Sequence, residues 1–134
     1  MYTAACLCGA IKLEIHQKIE TIYACHCKEC QKAQGTAFVA VTEIQTQNLN
    51  FLSGKDAISE YFFTENKKRC FCKFCGSPIF SARLDLPNVL RLRVGIINEE
   101  LNAQLYSHAF IAEKAPWFKI AEDRAHRFFK HVEF

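Results

Sequence analysis

Eight cysteines in 134 residues, gathered into three tight clusters, constrain this chain more than any other feature. The clusters are Cys6-Leu7-Cys8-Gly9, Cys25-His26-Cys27-Lys28-Glu29-Cys30 and Cys70-Phe71-Cys72-Lys73-Phe74-Cys75-Gly76. Cysteines separated by one residue, as in Cys6/Cys8 and Cys25/Cys27, are too close to form an unstrained disulfide with each other. Met1 to Cys6 has no basic n-region and no long apolar h-region, so the expectation is a cytoplasmic chain without a signal peptide. A reducing cytoplasm keeps thiols free, and thiols at this density there point to metal.

Zinc in a structural site takes four tetrahedral ligands. A short knuckle supplies two sulfurs from one tight turn, and a second knuckle elsewhere completes the set. Gly9 and Gly76 stand just behind their cysteines, where a tight turn is needed. Cys6, Cys8, Cys72 and Cys75 therefore read as the two halves of one structural zinc site. Cys25, Cys27 and Cys30 offer three thiolates from one loop. Three protein ligands with one position left for water or substrate is the pattern of a reactive zinc, but Cys70 or His26 as a fourth ligand would close the site. Strand geometry speaks for Cys70 as a non-ligand. In Cys70-Phe71-Cys72 alternate residues share a face, which leaves Cys70 about 7 Å back from Cys72, too far to share its metal.

Hydrophobic alternation dominates the rest of the chain. Ile11, Leu13 and Ile15 alternate with Lys12, Glu14 and His16, as a half-buried strand does. Further strands are expected at Ile22–Ala24, Phe38–Val41, Ile58–Phe63, Lys68–Phe71, Ile79–Leu84 and Val89–Ile97, separated by turns at Ser53–Asp56, Thr64–Lys67 and Asp85–Asn88. In the last strand Leu90, Leu92 and Val94 face one way, with Arg91 and Arg93 opposite. Helix is expected only over Lys28–Gln34, ended by Gly35, and as one turn over Asn98–Gln104. Half the residues are apolar, enough for a core, and no apolar run reaches the roughly 18 residues of a membrane span. The fold class is mainly β, with one domain over residues 1–134.

Cys-Leu-Cys-Gly-Ala near the start, Cys25-His26-Cys27 through Gly35-Thr36-Ala37-Phe38, and Phe71-Cys72-Lys73-Phe74-Cys75-Gly76-Ser77-Pro78-Ile79-Phe80 resemble the glutathione-dependent formaldehyde-activating family, which includes the centromere-protein-V type. His108 followed by Ala115-Pro116-Trp117 is similar to its C-terminal pattern, while Gln31 stands where many relatives carry a basic residue. The resemblance implies a β-tent, a zinc-stapled arrangement of antiparallel sheets with one or two short helices. It implies two zinc ions per chain: a structural one on Cys6, Cys8, Cys72 and Cys75, and a catalytic one on Cys25, Cys27 and Cys30. It implies a zinc-dependent carbon–sulfur lyase acting on a thiol–aldehyde adduct of the S-hydroxymethylglutathione type. The alternative reading is a non-catalytic, zinc-stapled binding module with two structural zinc sites.

A glutathione-type substrate carries carboxylates, for which Lys28, Lys32 and Lys73 are the candidate partners. His26, between two candidate ligands, could hydrogen-bond a substrate or move its proton. Trp117 reads more readily as core than as pocket. Arg124, Arg127, Lys130 and His131, among Phe128 and Phe129, read as a solvated amphipathic end. The formal charge of +3 counts every cysteine as neutral; seven metal-bound thiolates and two Zn²⁺ would bring it to zero. Basicity is thus no argument for nucleic acid, and the expected partner is a small thiol or aldehyde, with no membrane.

Overall fold

The computed structural model of the protein describes residues 1–132. In chain order its elements are β1 (Tyr2–Ala5), β2 (Lys12–Ile15), β3 (Thr21–Cys25), α1 (Lys28–Gln34), β4 (Val39–Gln45), β5 (Leu49–Ser53), β6 (Ile58–Phe62), β7 (Lys67–Cys72), β8 (Pro78–Arg83), β9 (Val89–Arg93), β10 (Gln104–Ala109) and β11 (His126–Arg127). The mainly β reading holds, and α1 is the one α-helix among the described residues. Among the described residues no helix is long and apolar enough to cross a membrane.

The chain forms two compact units. The first comprises Met1–Ile19 and Thr42–Leu101. In it β2 lies between β1 and β5, antiparallel to both. The expected alternation is realised: Leu13 and Ile15 are buried, Lys12 is exposed and Glu14 is half-covered. A meander of β6, β7, β8 and β9 completes this unit, each strand antiparallel to the next. Ile11, Leu13, Ile15, Ile44, Ile79 and Leu92 are fully buried here, each contributing about 1.5–3 kcal/mol of apolar burial. Arg93 departs from the simple alternation. It is only 6% exposed, and its Nη1 donates to Ser81 Oγ at 2.9 Å and to the Arg91 carbonyl at 3.2 Å. The strand ends there and passes into a 3₁₀ turn at Val94–Ile96.

The second unit comprises Glu20–Val41 and Asn102–Phe134, of which residues up to 132 are described. Here β3 pairs antiparallel with the start of β4 and parallel with β10, which in turn takes β11 as a parallel neighbour. The sheets are thus mixed rather than antiparallel throughout. The helix expected from Lys28 to Gln34 spans those residues, and Gly35 caps it in the left-handed conformation at φ 66°. No helical turn forms over Asn98–Gln104, because Asn98 N–H donates to the Thr3 carbonyl and Gln104 already belongs to β10. The side chains of the basic tail are solvated as expected, with Arg124, Arg127, Phe129, Lys130 and His131 exposed, while its backbone is tied down. Phe128 N–H donates to the His108 carbonyl, and the Lys130 carbonyl accepts from Phe110 N–H. Trp117 is 73% exposed, so it is not core.

Candidate metal centres

Two groups of cysteines converge in the fold. In the first, the Sγ atoms of Cys6, Cys8, Cys72 and Cys75 all lie within 4.8 Å of one another. Cys6 and Cys8 stand 3.6 Å apart at sulfur, and Cys8 and Cys72 stand 3.8 Å apart. A tetrahedron of sulfurs about 2.3 Å from a Zn²⁺ has edges of about 3.8 Å, so the donor set fits this ion. The knuckles are built by their turns. Gly9 N–H donates to the Cys6 carbonyl and Gly76 N–H to the Cys72 carbonyl. Both glycines sit at φ near 80°, a conformation that a side chain disfavours. Ser77 ties the two knuckles together: its Oγ accepts from Leu7 N–H at 2.9 Å and lies 3.2 Å from Cys75 Sγ. This contact with Ser77 holds the Cys75 thiol down to about 5. Ile11 N–H donates to Cys6 Sγ at 3.3 Å, a further stabilisation of thiolate charge.

The second group is Cys25, Cys27 and Cys30, again with all sulfurs within 4.8 Å. Cys25 ends β3, Cys27 caps α1 and Cys30 lies in its first turn. Cys27 Sγ accepts the Cys30 N–H at 3.3 Å, so the helix cap and the sulfur cluster share one atom. The neighbouring sulfurs of Cys27 and Cys30, then burial, push the Cys25 thiol strongly up. Three sulfurs this close cannot all carry charge without a cation among them. Among the described residues neither Cys70 nor His26 joins this group. Cys70 is buried on β7, and burial raises its thiol to about 11.

His26 lies between two of these cysteines but looks elsewhere. Cross-strand neighbours share a face, and successive residues alternate. Tyr23, Cys25, Val39 and Val41 pack together with Cys27 and Cys30 on one face. Ala24 pairs with His108 on the other, and the His26 ring is there, 5.1 Å from the rings of both Phe38 and His108. This alternation turns His26 away from the sulfurs, which counts against contact with a thiol-bound substrate. Its Nε2 lies 2.8 Å from His108 Nδ1, and His108 Nε2 lies 2.7 Å from Asp123 Oδ2. Burial, then the charges of His108 and Lys114, hold His26 down to about 4. Asp123 is held at about 2, chiefly by His108 and then by the Ala125 N–H. His26 Nδ1 is buried and has no hydrogen-bond partner among the described residues.

The other candidates fall in two places. Lys28 and Lys32 are exposed on α1, beside the second cysteine group. Lys73 is exposed on the Cys72–Cys75 knuckle, with its Nζ 5.2 Å from the centre of the Phe74 ring. Gln31 braces the loop, since its Nε2 donates to the His26 carbonyl at 2.7 Å and to the Glu113 carbonyl at 3.0 Å. Glu113 Oε1 accepts the Lys28 N–H. Sequence reasoning missed Asp123, because nothing in its spacing separates it from Glu122 until β11 brings it to His108.

A solved structure of a Rhodobacter sphaeroides protein matches this fold with a TM-score of 0.61, at 23% identity, over 75% of this chain and 90% of that one. An uncharacterized lyase of Schizosaccharomyces pombe is 28% identical over 81 residues, which is 60% of this chain and 57% of that protein. The chain therefore spans a little over half the length of this relative. The profile of the glutathione-dependent formaldehyde-activating enzyme family matches residues 1–113, through both cysteine groups and on to Glu113, and the chain belongs to that family.

Proposed function

We propose that the protein is a zinc-dependent carbon–sulfur lyase acting on the adduct of a small thiol, of the glutathione type, and an aldehyde such as formaldehyde. The observation that carries this reading is the group of three sulfurs at Cys25, Cys27 and Cys30, beside a separate group of four. Four thiolates fill a tetrahedral zinc; three leave it one position. The family to which the chain belongs and the lyase name of its relative support the same class.

Cys25, Cys27 and Cys30 would hold the zinc, which when bound would lower the pKa of an incoming thiol and keep its sulfur available to a small carbonyl carbon. In the breaking direction the carbon–sulfur bond gives its electron pair to sulfur, the hydroxyl proton leaves to water and the carbonyl forms. The chain's own residues arrange this site. The Cys30 N–H steadies charge on Cys27, and Gln31 pins the loop by its bond to the His26 carbonyl. Lys28 and Lys32 project from α1 and offer cations to the carboxylates of a glutathione-like thiol. The group at Cys6, Cys8, Cys72 and Cys75 takes the structural zinc in this reading, and the catalytic domain is the whole of residues 1–134.

Elemental analysis of freshly purified protein should find two zinc ions per chain. Exchange spectroscopy with ¹³C-formaldehyde and glutathione should then show faster formation and breakdown of the hydroxymethyl adduct than in buffer. One zinc per chain removes the second site. Two zinc ions without thiol binding at millimolar glutathione would move the protein to the class of zinc-stapled binding modules.

A further inference from the structure

The chain Asp123–His108–His26 can be hydrogen-bonded in one direction when both imidazoles are neutral. Asp123 Oδ2 is an acceptor, so His108 must present Nε2–H to it at 2.7 Å. His108 Nδ1 then carries the lone pair and must accept His26 Nε2–H at 2.8 Å. His26 Nδ1 is therefore left as a bare acceptor, and it is a buried ring nitrogen without a partner among the described residues. The backbone of His26 is held as well: its N–H donates to the Ala109 carbonyl, and its carbonyl accepts from Gln31. His26 thus has its ring held on the face turned away from the sulfurs and its backbone held at both N–H and carbonyl, while its two chain neighbours are candidate metal ligands.

We propose that His108 and Asp123 are positioning residues: they hold His26 as the Nε2–H tautomer and so clamp, from behind, the peptide that sets Cys25 and Cys27 for metal. This rests on the reading that Cys25, Cys27 and Cys30 bind a metal, and not on the reaction assigned to it. The geometry makes Asp123→Asn a directional probe. Asp123 Oδ1 accepts from the Ala125 N–H at 3.0 Å and from Arg127 Nη1 at 3.2 Å. An asparagine must keep its carbonyl oxygen there, which turns its amide NH₂ toward His108 Nε2. His108 then becomes the Nδ1–H tautomer and confronts His26 Nε2–H. Relief requires His26 to move its proton to Nδ1, where it has no acceptor, or the two rings to part. Either change loosens the clamp.

The test uses the full chain loaded with ¹¹³Cd²⁺ and labelled with ¹⁵N-histidine. In the wild type, imidazole ¹⁵N shifts should show both rings neutral, with protons on Nε2 of His26 and His108. In Asp123→Asn the His108 tautomer should reverse. Chelator competition followed by ¹¹³Cd resonances should show about a tenfold loss of affinity at the three-cysteine site. The four-cysteine site should be unchanged, which separates a local effect from general loosening. An imidazolium or an Nδ1–H His26 in the wild type would overturn the proposal without any variant. So would unchanged tautomers in Asp123→Asn, or equal loss at both sites. A wild-type chain that takes up one Cd²⁺ fails the metal reading itself. The clamp is then decided by the tautomers and by the ¹³Cβ shifts of Cys25 and Cys27, which must move in Asp123→Asn; if they stay, the proposal falls.

Discussion

The two cysteine groups use the same ligand atom and are assembled in opposite ways. The first collects sulfurs from two knuckles far apart in sequence, Cys6/Cys8 and Cys72/Cys75. The second takes three sulfurs from six consecutive residues, at the junction of β3 and α1. A metal in the first would join chain segments that otherwise depend on β-pairing to meet, so its binding energy counts as folding energy. A metal in the second would sit on a turn already capped and hydrogen-bonded, and could leave with the fold intact. In the proposed reading, the sequence distance between its ligands makes the first group a staple, and the number of its ligands leaves the second group open.

The strongest way to break this comparison is Cys72→Ser. Cys72 is fully buried, and apparent binding energies of structural zinc run to about 10–16 kcal/mol, so losing one ligand should leave the chain insoluble or without a cooperative melt. A soluble variant melting like the wild type would erase the distinction. Cys27→Ser should behave differently. Serine is a good helix N-cap and can still accept the Cys30 N–H, so thermal stability should fall by no more than about 1 kcal/mol. The second metal and any thiol binding should nevertheless be lost, as read by elemental analysis and calorimetry.

Acid should also separate the two groups. A bound metal keeps its cysteines as thiolates, so protons compete with it and affinity falls as pH falls. Neighbouring sulfurs push the Cys25 thiol strongly up. In the four-cysteine group the Ala10 N–H is outweighed by burial and neighbouring sulfurs, which raise Cys8 to about 11, but Ser77 holds Cys75 down to about 5 and that group would grip its metal with one thiolate more. Metal release followed with a chromophoric chelator should therefore empty the three-cysteine group first as pH is lowered. Gln31→Ala removes two hydrogen bonds, each worth about 1 kcal/mol, and should weaken metal binding at the second group while sparing the first. The smallest effect on metal content belongs to Cys70→Ser, which should keep both metals at a stability cost of about 1–2 kcal/mol for a buried hydroxyl. Loss of one metal in that variant would mean that the second group is closed by a fourth thiolate.

Much of this was legible because it is local. The alternation from Ile11 to Ile15, the helix between Lys28 and Gly35, and the knuckle spacing are periodicities and turns that a single segment records. Arg93 was harder: its burial depends on Ser81 from another strand. The parallel placement of β10 beside β3 leaves no trace in either segment, and with it the His26–His108 contact was hidden. Trp117 stayed exposed although its residue type favours burial. These failures are all long-range, where partners are chosen by tertiary packing and not by the residues alongside.

The separation between Cys8 and Cys72 has a consequence for synthesis. A chain emerging from the ribosome has all three thiols of the second group once residue 30 is exposed. Its first two cysteines must wait for residues 72 and 75, and β3 must wait for β10, whose Gln104 pairs with Thr21. Each doubling of such a loop adds only about 0.6 kcal/mol of closure cost, but contacts of this span slow folding. For part of its synthesis the nascent chain therefore displays unjoined thiols while residues 9–71 pass out of the exit tunnel. Zinc supply at that moment should govern how much chain survives to fold, so scarcity would lower yield before it lowered the activity of finished molecules.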